Sequence, residues 1–367
     1  SRQAGIGQSN VTQDDDIIVG AGSAGLPPRV RFATGTTVKD FDWYRQWLHA
    51  AERARFEIVT VGDSQSLWAD PFVAMAFAAE VTDAPGIALT VSNPQTRHPA
   101  VVASSLVALQ QLSGGRIRYG LSSGDSALRN IGVPAASLSQ LREFGVAVKE
   151  LCAGRTAQFR GQELVLRWGR YETPLWMAAE GPKTQFLAGQ IADAVILSNA
   201  LDRDVMEAAK QNIAAGAAAA GRRLDDIEIW CMAAMSPGRT EEEGIARVRY
   251  LLAGTANHVY RFHTDGKAVP EQYLGAIAEL QRRYDSTAHA TPERAQANAE
   301  LVEELGLVEF LAGRSVIAGP PERRVERIRE IAAAGATNLI VSQFVDDQLA
   351  FMDEFAAEIA PAFSDVA

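Results

Sequence analysis

From residue 29 onward the chain alternates, unit after unit, between a short apolar run and a longer amphipathic stretch. This alternation constrains the fold more than anything else in the sequence. Eight runs read as strands: Val30–Ala33, Glu57–Val61, Gly86–Val91, Arg116–Leu121, Pro174–Ala178, Ala194–Leu197, Ile227–Ala233 and Asn338–Val341. Between them, apolar residues recur at helical spacing over 40–55, 71–81, 100–112, 138–151, 182–189, 202–220 and 321–334, with a small hairpin expected over 158–166. Strands apolar on both faces and separated by helices form a parallel sheet covered by helices. Eight such units favour closure into a (β/α)8 TIM barrel over an open doubly wound sheet. The long charged stretch at about 236–318 reads as a helical insertion between strands seven and eight. The expected organisation is a polar, flexible arm over 1–27 and one barrel domain over 28–367.

Charge and composition exclude several functions. The formal charge is −10, whereas nucleic-acid binding needs clustered Lys and Arg. No apolar run is long enough to span a bilayer. No basic segment leads into an apolar one, so a cytoplasmic protein is expected. Only Cys152 and Cys231 occur, which argues against a disulfide framework or a thiolate metal site.

Two motifs invite misreading. Gly20-x-Gly22-x-x-Gly25 follows Ile17-Ile18-Val19 and matches a dinucleotide fingerprint. However, Leu26-Pro27-Pro28 comes next where a helix should begin, and a proline one turn into a helix loses a hydrogen bond and clashes. Gly120-Leu121-Ser122-Ser123-Gly124 fits the nucleophile-elbow pattern. A serine hydrolase would also need a histidine partner, and His258, His263 and His289 all lie in the charged insertion. These histidines read as solvated or packing residues. The five-residue gap between His258 and His263 misses one helical face, so no metal site is expected.

In a closed barrel the chemistry sits where strands end. The second strand leads into Gly62-Asp63-Ser64-Gln65-Ser66-Leu67-Trp68, the third into Ser92-Asn93-Pro94, and the fourth into Ser122-Ser123-Gly124-Asp125. The fifth leads into Ala179-Glu180-Gly181-Pro182-Lys183, and the sixth into Ser198-Asn199. Small residues and polar groups at these positions suit a flat, partly anionic ligand. Gly181-Pro182 opens a helix whose free amides, with Lys183, make an anion site; an ordinary turn with a solvated lysine fits the stretch equally.

Taken in order, Val91-Ser-Asn-Pro-Gln-Thr-Arg-His-Pro-Ala100, Ser113-Gly-Gly-Arg-Ile-Arg-Tyr-Gly120 with Ser123-Gly-Asp125, Ala178-Ala-Glu-Gly-Pro-Lys183 with Gly189-x-Ile191-Ala-Asp193, and Ile317-Ala-Gly-Pro-Pro-Glu322 resemble the bacterial luciferase-like flavin and deazaflavin oxidoreductases. Among these, the chain looks most like the F420-dependent methylenetetrahydromethanopterin reductases. The resemblance implies the barrel with its insertion, and coenzyme F420 or FMN in the mouth. It implies a non-proline cis peptide near Ala88-Leu89-Thr90, with Val91 beside the ring, and Gly124 and Asp125 at the polar ring edge. Ala178, Ala179, Glu180, Gly181, Pro182, Lys183 and Ser198 would hold the side chain and phosphate. Several relatives carry Asp-His after strand two, where this chain has Asp63-Ser64. Asp63 is then a candidate acid or proton relay, or equally a structural cap, with Asn93 the other catalytic candidate. Ser64 and Trp68 are the substrate-pocket candidates, with Leu67 and Phe72 beside Trp68 in one apolar wall or equally in core packing, and His98 would open the following helix.

The expected activity is hydride transfer between reduced F420 and a small organic substrate. One alternative is an FMN-dependent monooxygenase using reduced flavin and oxygen, which would need a flavin reductase as partner. Another is a non-catalytic flavin-binding barrel. The resemblance also implies a homodimer formed through helices near strands two and three.

Overall fold

Capping chemistry in the sequence sets the helix starts of the computed structural model, which describes residues 29–285 and 292–364. Asp40 accepts from the amide of Trp43 and opens α1 (Phe41–Arg53), whose Tyr44, Trp47, Leu48 and Ala51 form one buried face. Asp70, followed by Pro71, opens α2 (Pro71–Val81), and His98, followed by Pro99, opens α3 (Pro99–Ser113). In each case the cap satisfies an amide that the helix cannot, and proline sits where its missing N–H costs nothing. His98 Nδ1 accepts from Ala100 N at 3.2 Å, the structural role expected of it. A Ser137/Gln140 capping box opens α5 (Leu138–Cys152), after the short α4 (Ser126–Asn130).

Eight parallel strands close on themselves: β1 (Arg31–Thr36), β2 (Ile58–Val61), β3 (Gly86–Ser92), β4 (Ile117–Leu121), β5 (Leu175–Ala178), β6 (Ala194–Leu197), β7 (Glu228–Pro237) and β8 (Asn338–Gln343). Pairing of Arg31–Gly35 with Asn338–Ser342 makes the closure. The fold is a TIM barrel, as the alternation requires. The hairpin lies at Ala157–Phe159 and Gln162–Leu164.

A ninth strand, Val316–Gly319, departs from the sequence reading, which placed these residues at the end of the insertion. It pairs with Ala234–Pro237 of β7, while β8 takes Cys231–Met235. The two stretches overlap, so the ninth strand must use the opposite edge of β7. That edge is free because β6 stops at Cys231. Strand β7 accordingly runs four residues beyond its expected end, to a proline at its last position, where no ladder amide is missed.

Among the described residues, four helices lie in the connection from β7 to this strand: α8 (Glu241–Tyr260), α9 (Glu271–Arg283), α10 (Pro292–Glu304) and α11 (Val308–Ser315). They share a core of their own around Val248, Leu252, Ile277, Leu280 and Leu311.

Side-chain alternation along the strands fills the lower barrel and leaves the upper part open. Trp176 and Trp230 stack inside at 5.3 Å, with Ala33, Ile58, Ala88, Ile196 and Ile340 around them. Beneath them Arg31 lies over Trp230 and pairs with Glu57 and Glu228. The same alternation carries small residues, namely Gly35, Gly120, Ala178, Ser198, Ala234 and Ser342, inward at the C-terminal end. Gly120 is required: a Cβ there would lie 2.1 Å from the carbonyl oxygen of Leu89, where β3 breaks register between Leu89 and Ser92. The helices α6 (Pro182–Ile191), α7 (Arg203–Ala219), α12 (Pro321–Ala333) and α13 (Gln348–Glu354) complete the outer layer. No helix among the described residues is long and apolar enough to cross a membrane. The N-terminal arm, its glycine fingerprint and His289 lie outside the described residues.

Candidate active site

The open mouth is a cavity of about 860 Å³ at the C-terminal strand ends, within the range of small-molecule and cofactor sites. Ser198, Met232, Ala234 and Ser342 from the barrel face α8 residues Arg247, Tyr250 and His258 across it. Asp125, Arg129 and Tyr284 form a third side. Of the residues expected from sequence, Asp125 and Ser198 line this space. Ala178 and Val91 pack against the interior cluster at its base. The cis peptide falls at Thr90–Val91, one bond beyond the expected stretch.

Other expected residues are turned elsewhere, for identifiable reasons. Leu89 and Ala179 are fully buried in the layer between strands and helices, because alternate strand residues point outward. The carbonyl of Ala179 accepts from Gln185 at 3.2 Å. Ala88 points inward but lies at the level of the tryptophans. Asn93 is buried, and its side-chain oxygen accepts from the amides of Gln95 and Thr96 at 2.9 and 3.0 Å. That bonding closes the Asn-Pro turn. Trp68 packs against Gly62. Lys183 is exposed and lines a separate shallow hollow between α5 and α6, with Arg142 and Phe186.

Asp63 sits at the end of β2 as the centre of a polar clamp. It accepts from Ser92 Oγ at 2.6 Å and Arg97 Nη1 at 2.5 Å. Arg97 also donates to the α2 cap Asp70 at 2.8 Å and lies over the ring of Phe72. Burial acts to lower the Arg97 guanidinium, but the two carboxylates outweigh it and the net shift is upward. Ser64 Oγ bonds with Ser126 Oγ at 3.0 Å. Asp63 thus ties the second strand end to Ser92 of β3 and, through Arg97, to the Asp70 cap of α2.

The fourth strand end bears the charge of the mouth. Gly124 has φ +92°, and a Cβ there would meet Leu128 and Asn93, so only glycine brings the backbone this close. Asp125 follows. Its carboxylate faces His258 Nδ1 at 3.7 Å and Arg261 at 3.3 Å, and pairs with Arg129. His258 does most to hold the carboxyl below the usual carboxylate range, against its burial, with Arg129 and Arg261 adding to the effect. Ser122, the elbow serine, accepts from the amide of Gly124 at 3.2 Å; no histidine bonds to it among the described residues.

At the fifth strand end, Glu180 Oε1 accepts from the Ser198 amide at 2.8 Å, while Oε2 is buried without a partner. Gly181 caps α6 with no side-chain hydrogen bond, so the first amides of that helix are open to an anion. Lys267 and His263 of the insertion lie beside Gly181. Burial lowers the Lys267 ammonium, which the Glu180 charge partly offsets. Both cysteines are buried and free, and no cluster of metal-ligating side chains occurs among the described residues.

The insertion wall was missed in the sequence, although a signal exists. Arg247, Tyr250, Leu251, Gly254 and His258 recur at helical spacing and form one stripe facing the cavity.

A closed parallel barrel with its cavity at the C-terminal rim, roofed by an insertion after β7, is a ligand-site architecture found on many barrels. The luciferase-like monooxygenase family profile matches residues 25–338, and the chain belongs to that family. It is similar to a 5,10-methylenetetrahydromethanopterin reductase from Methanolobus tindarius, with 26% identity over 303 residues, or 76% of this chain and 91% of the relative. It is also similar to an F420-dependent glucose-6-phosphate dehydrogenase from Beutenbergia cavernae, with 27% identity over 333 residues, or 85% and 90%. Among solved structures, a coenzyme F420-dependent tetrahydromethanopterin reductase from Methanopyrus kandleri matches with TM-score 0.71 and 22% identity, covering 92% of this chain and all (100%) of that one. The EDTA monooxygenase of Chelativorans sp. BNC1 matches with TM-score 0.64 and 14% identity, covering 91% and 94%. These structural likenesses concern the fold.

Proposed function

We propose that this chain is an oxidoreductase that holds coenzyme F420 in the barrel mouth and uses it for hydride transfer to or from a small organic substrate. The observation that carries this reading is the 860 Å³ cavity, lined on its barrel side by Ser198, Met232, Ala234 and Ser342. Ser198, Ala234 and Ser342 are small, which leaves room for a flat ring. The residues fit such a group in two further respects. The glycine at 124 allows a ring edge to reach the backbone. The unpartnered Glu180 Oε2 and the open α6 amides give a polar ligand a buried acceptor and nearby donors. When bound, the ring supplies two-electron chemistry, and the protein supplies orientation and a site shielded from water. Met232 and the Trp176–Trp230 stack would support such a ring from below, and the α8 stripe would cover it. The relatives named for F420 support this choice of cofactor.

The family's own name and its monooxygenase neighbours favour a second reading, in which reduced FMN reacts with oxygen and a separate flavin reductase supplies the flavin. Titration of the protein with oxidised F420 and with FMN, followed by visible absorbance, tests both. Saturable binding of F420 is expected, binding of FMN alone moves the assignment to the monooxygenase, and binding of neither refutes both.

We also propose a homodimer through α2 and α3, which pack together and leave Val73, Val101 and Leu112 exposed on their outer faces. Light scattering should return twice the chain mass, and Val101→Glu should return one.

A further inference from the structure

We infer that His258, oriented by Asp125, is the proton donor of this site, and that the substrate is a carbonyl or imine whose heteroatom must be protonated as its carbon is reduced. The inference rests on the redox reading above. Here Ser64 is bonded to Ser126, and Asp63 is occupied by Ser92 and Arg97. The second strand end therefore presents no available proton to the cavity.

The cavity wall opposite the barrel does present one. His258 sits in the last turn of α8 and lines the mouth. Its Nδ1 faces Asp125 Oδ2 at 3.7 Å, which leaves Nε2 as the ring nitrogen for a substrate. The other groups around this point are Arg129 on α4, Arg261 at the end of α8, Tyr284 and Asp285 after α9, and Arg247 and Tyr250 on α8. Arginine does not release a proton near neutrality, and Asp125 is held as a carboxylate; a tyrosine can act as a general acid, but burial raises Tyr250 and Tyr284 above the ordinary phenol value, which makes them weaker acids than an imidazolium. Imidazole is the side chain suited to the task. Asp125 between Arg129 and Arg261 stays ionised and fixes the orientation of the ring, the part an acid plays beside a catalytic histidine.

The step balances as follows. The substrate carbon gains a hydride from the reduced deazaflavin or flavin of the reading above, and the C=O π pair moves onto oxygen. An O–H bond forms as the Nε2–H bond of His258 breaks. The substrate is reduced by two electrons, the cofactor is oxidised by two, and solvent returns the proton to the imidazole.

Three measurements test this. In cofactor-free protein, diethyl pyrocarbonate should label His258, detected by mass spectrometry, and Ser198→Trp, which fills the cavity, should slow that labelling at least tenfold. With F420 or FMN bound, His258→Gln should keep cofactor affinity within about threefold of wild type. The same variant should lower the single-turnover rate with benzaldehyde, a carbonyl probe whose carbon takes the hydride and whose oxygen takes the proton, by about a hundredfold, the usual scale of a lost general acid. It should also remove the limb of the pH–rate profile that this acid produces, and Asp125→Asn should give a smaller loss. Labelling insensitive to Ser198→Trp, or a His258→Gln protein with wild-type rate and pH profile, overturns the inference alone. Failure of the wild type to bind either cofactor overturns the underlying reading, and this inference with it.

Discussion

Replacing Arg97 by methionine isolates the clamp at the second strand end. The Asp63 side chain is 1% exposed and that of Arg97 19%. Methionine keeps much of the apolar stem over Phe72 but removes the charge that neutralises Asp63. Breaking a buried pair by deleting one partner costs about 3–5 kcal/mol. Here Asp63 retains the Ser92 hydroxyl, and Arg97 is partly open to water, so the lower end, about 3 kcal/mol, is expected. The outer bond to Asp70, a carboxylate 46% exposed, adds less than about 1 kcal/mol. Urea unfolding should show the midpoint fall with little change in slope. The double variant Arg97→Met with Asp63→Asn should recover at least about 1 kcal/mol, because it no longer buries an unpaired charge. A single-variant loss below about 1 kcal/mol, or no recovery in the double variant, would refute the clamp and return Asp63 to the candidates for proton transfer.

Other predictions follow from the same geometry. Gly120→Ala must place a methyl 2.1 Å from the Leu89 carbonyl and should destabilise by about 1–3 kcal/mol or more in urea unfolding, as overpacking does. Asp125 has a depressed carboxyl in the folded state, so its contribution is present above the ordinary carboxylate range and is lost as pH falls through the folded value. The stability gap between wild type and Asp125→Asn, measured by thermal unfolding across pH, should therefore be full near neutrality and close in acid below about pH 4. Lys183→Ala should weaken cofactor binding by less than about tenfold in a titration, because an exposed, solvent-screened lysine contributes little. Ser122→Ala should leave redox turnover near wild type in the benzaldehyde assay, whereas a hydrolase would be inactivated.

Much of this architecture can be read from the chain. Strands β1 to β8 follow from apolar runs because the buried strands of a parallel sheet are apolar on both faces. Capping residues such as Asp70 and His98 announce their helices directly. The strand Val316–Gly319 is less visible, because a four-residue run directly after a helix gains its strand identity only from the unpaired edge of β7. The site is legible as a set of strand ends but not as a set of directions. Leu89 and Ala179 lie in the right loops and point away, since alternation decides which side chain enters a barrel. Asp63 and Arg97, 34 residues apart, reveal their pairing only in space. His258 escapes notice when histidines are tested for metal spacing alone; the helical stripe from Arg247 to His258 is the signal that places it in the mouth.

The central claim is that a planar redox ring occupies the barrel mouth. Visible-absorbance titration of wild type and Ser198→Trp with oxidised F420 and with FMN tests it most directly. The account predicts one-to-one saturable binding by the wild type and at least a tenfold loss in Ser198→Trp, whose indole fills the space beside Met232. Equal binding by both proteins, or no binding by either, would contradict it.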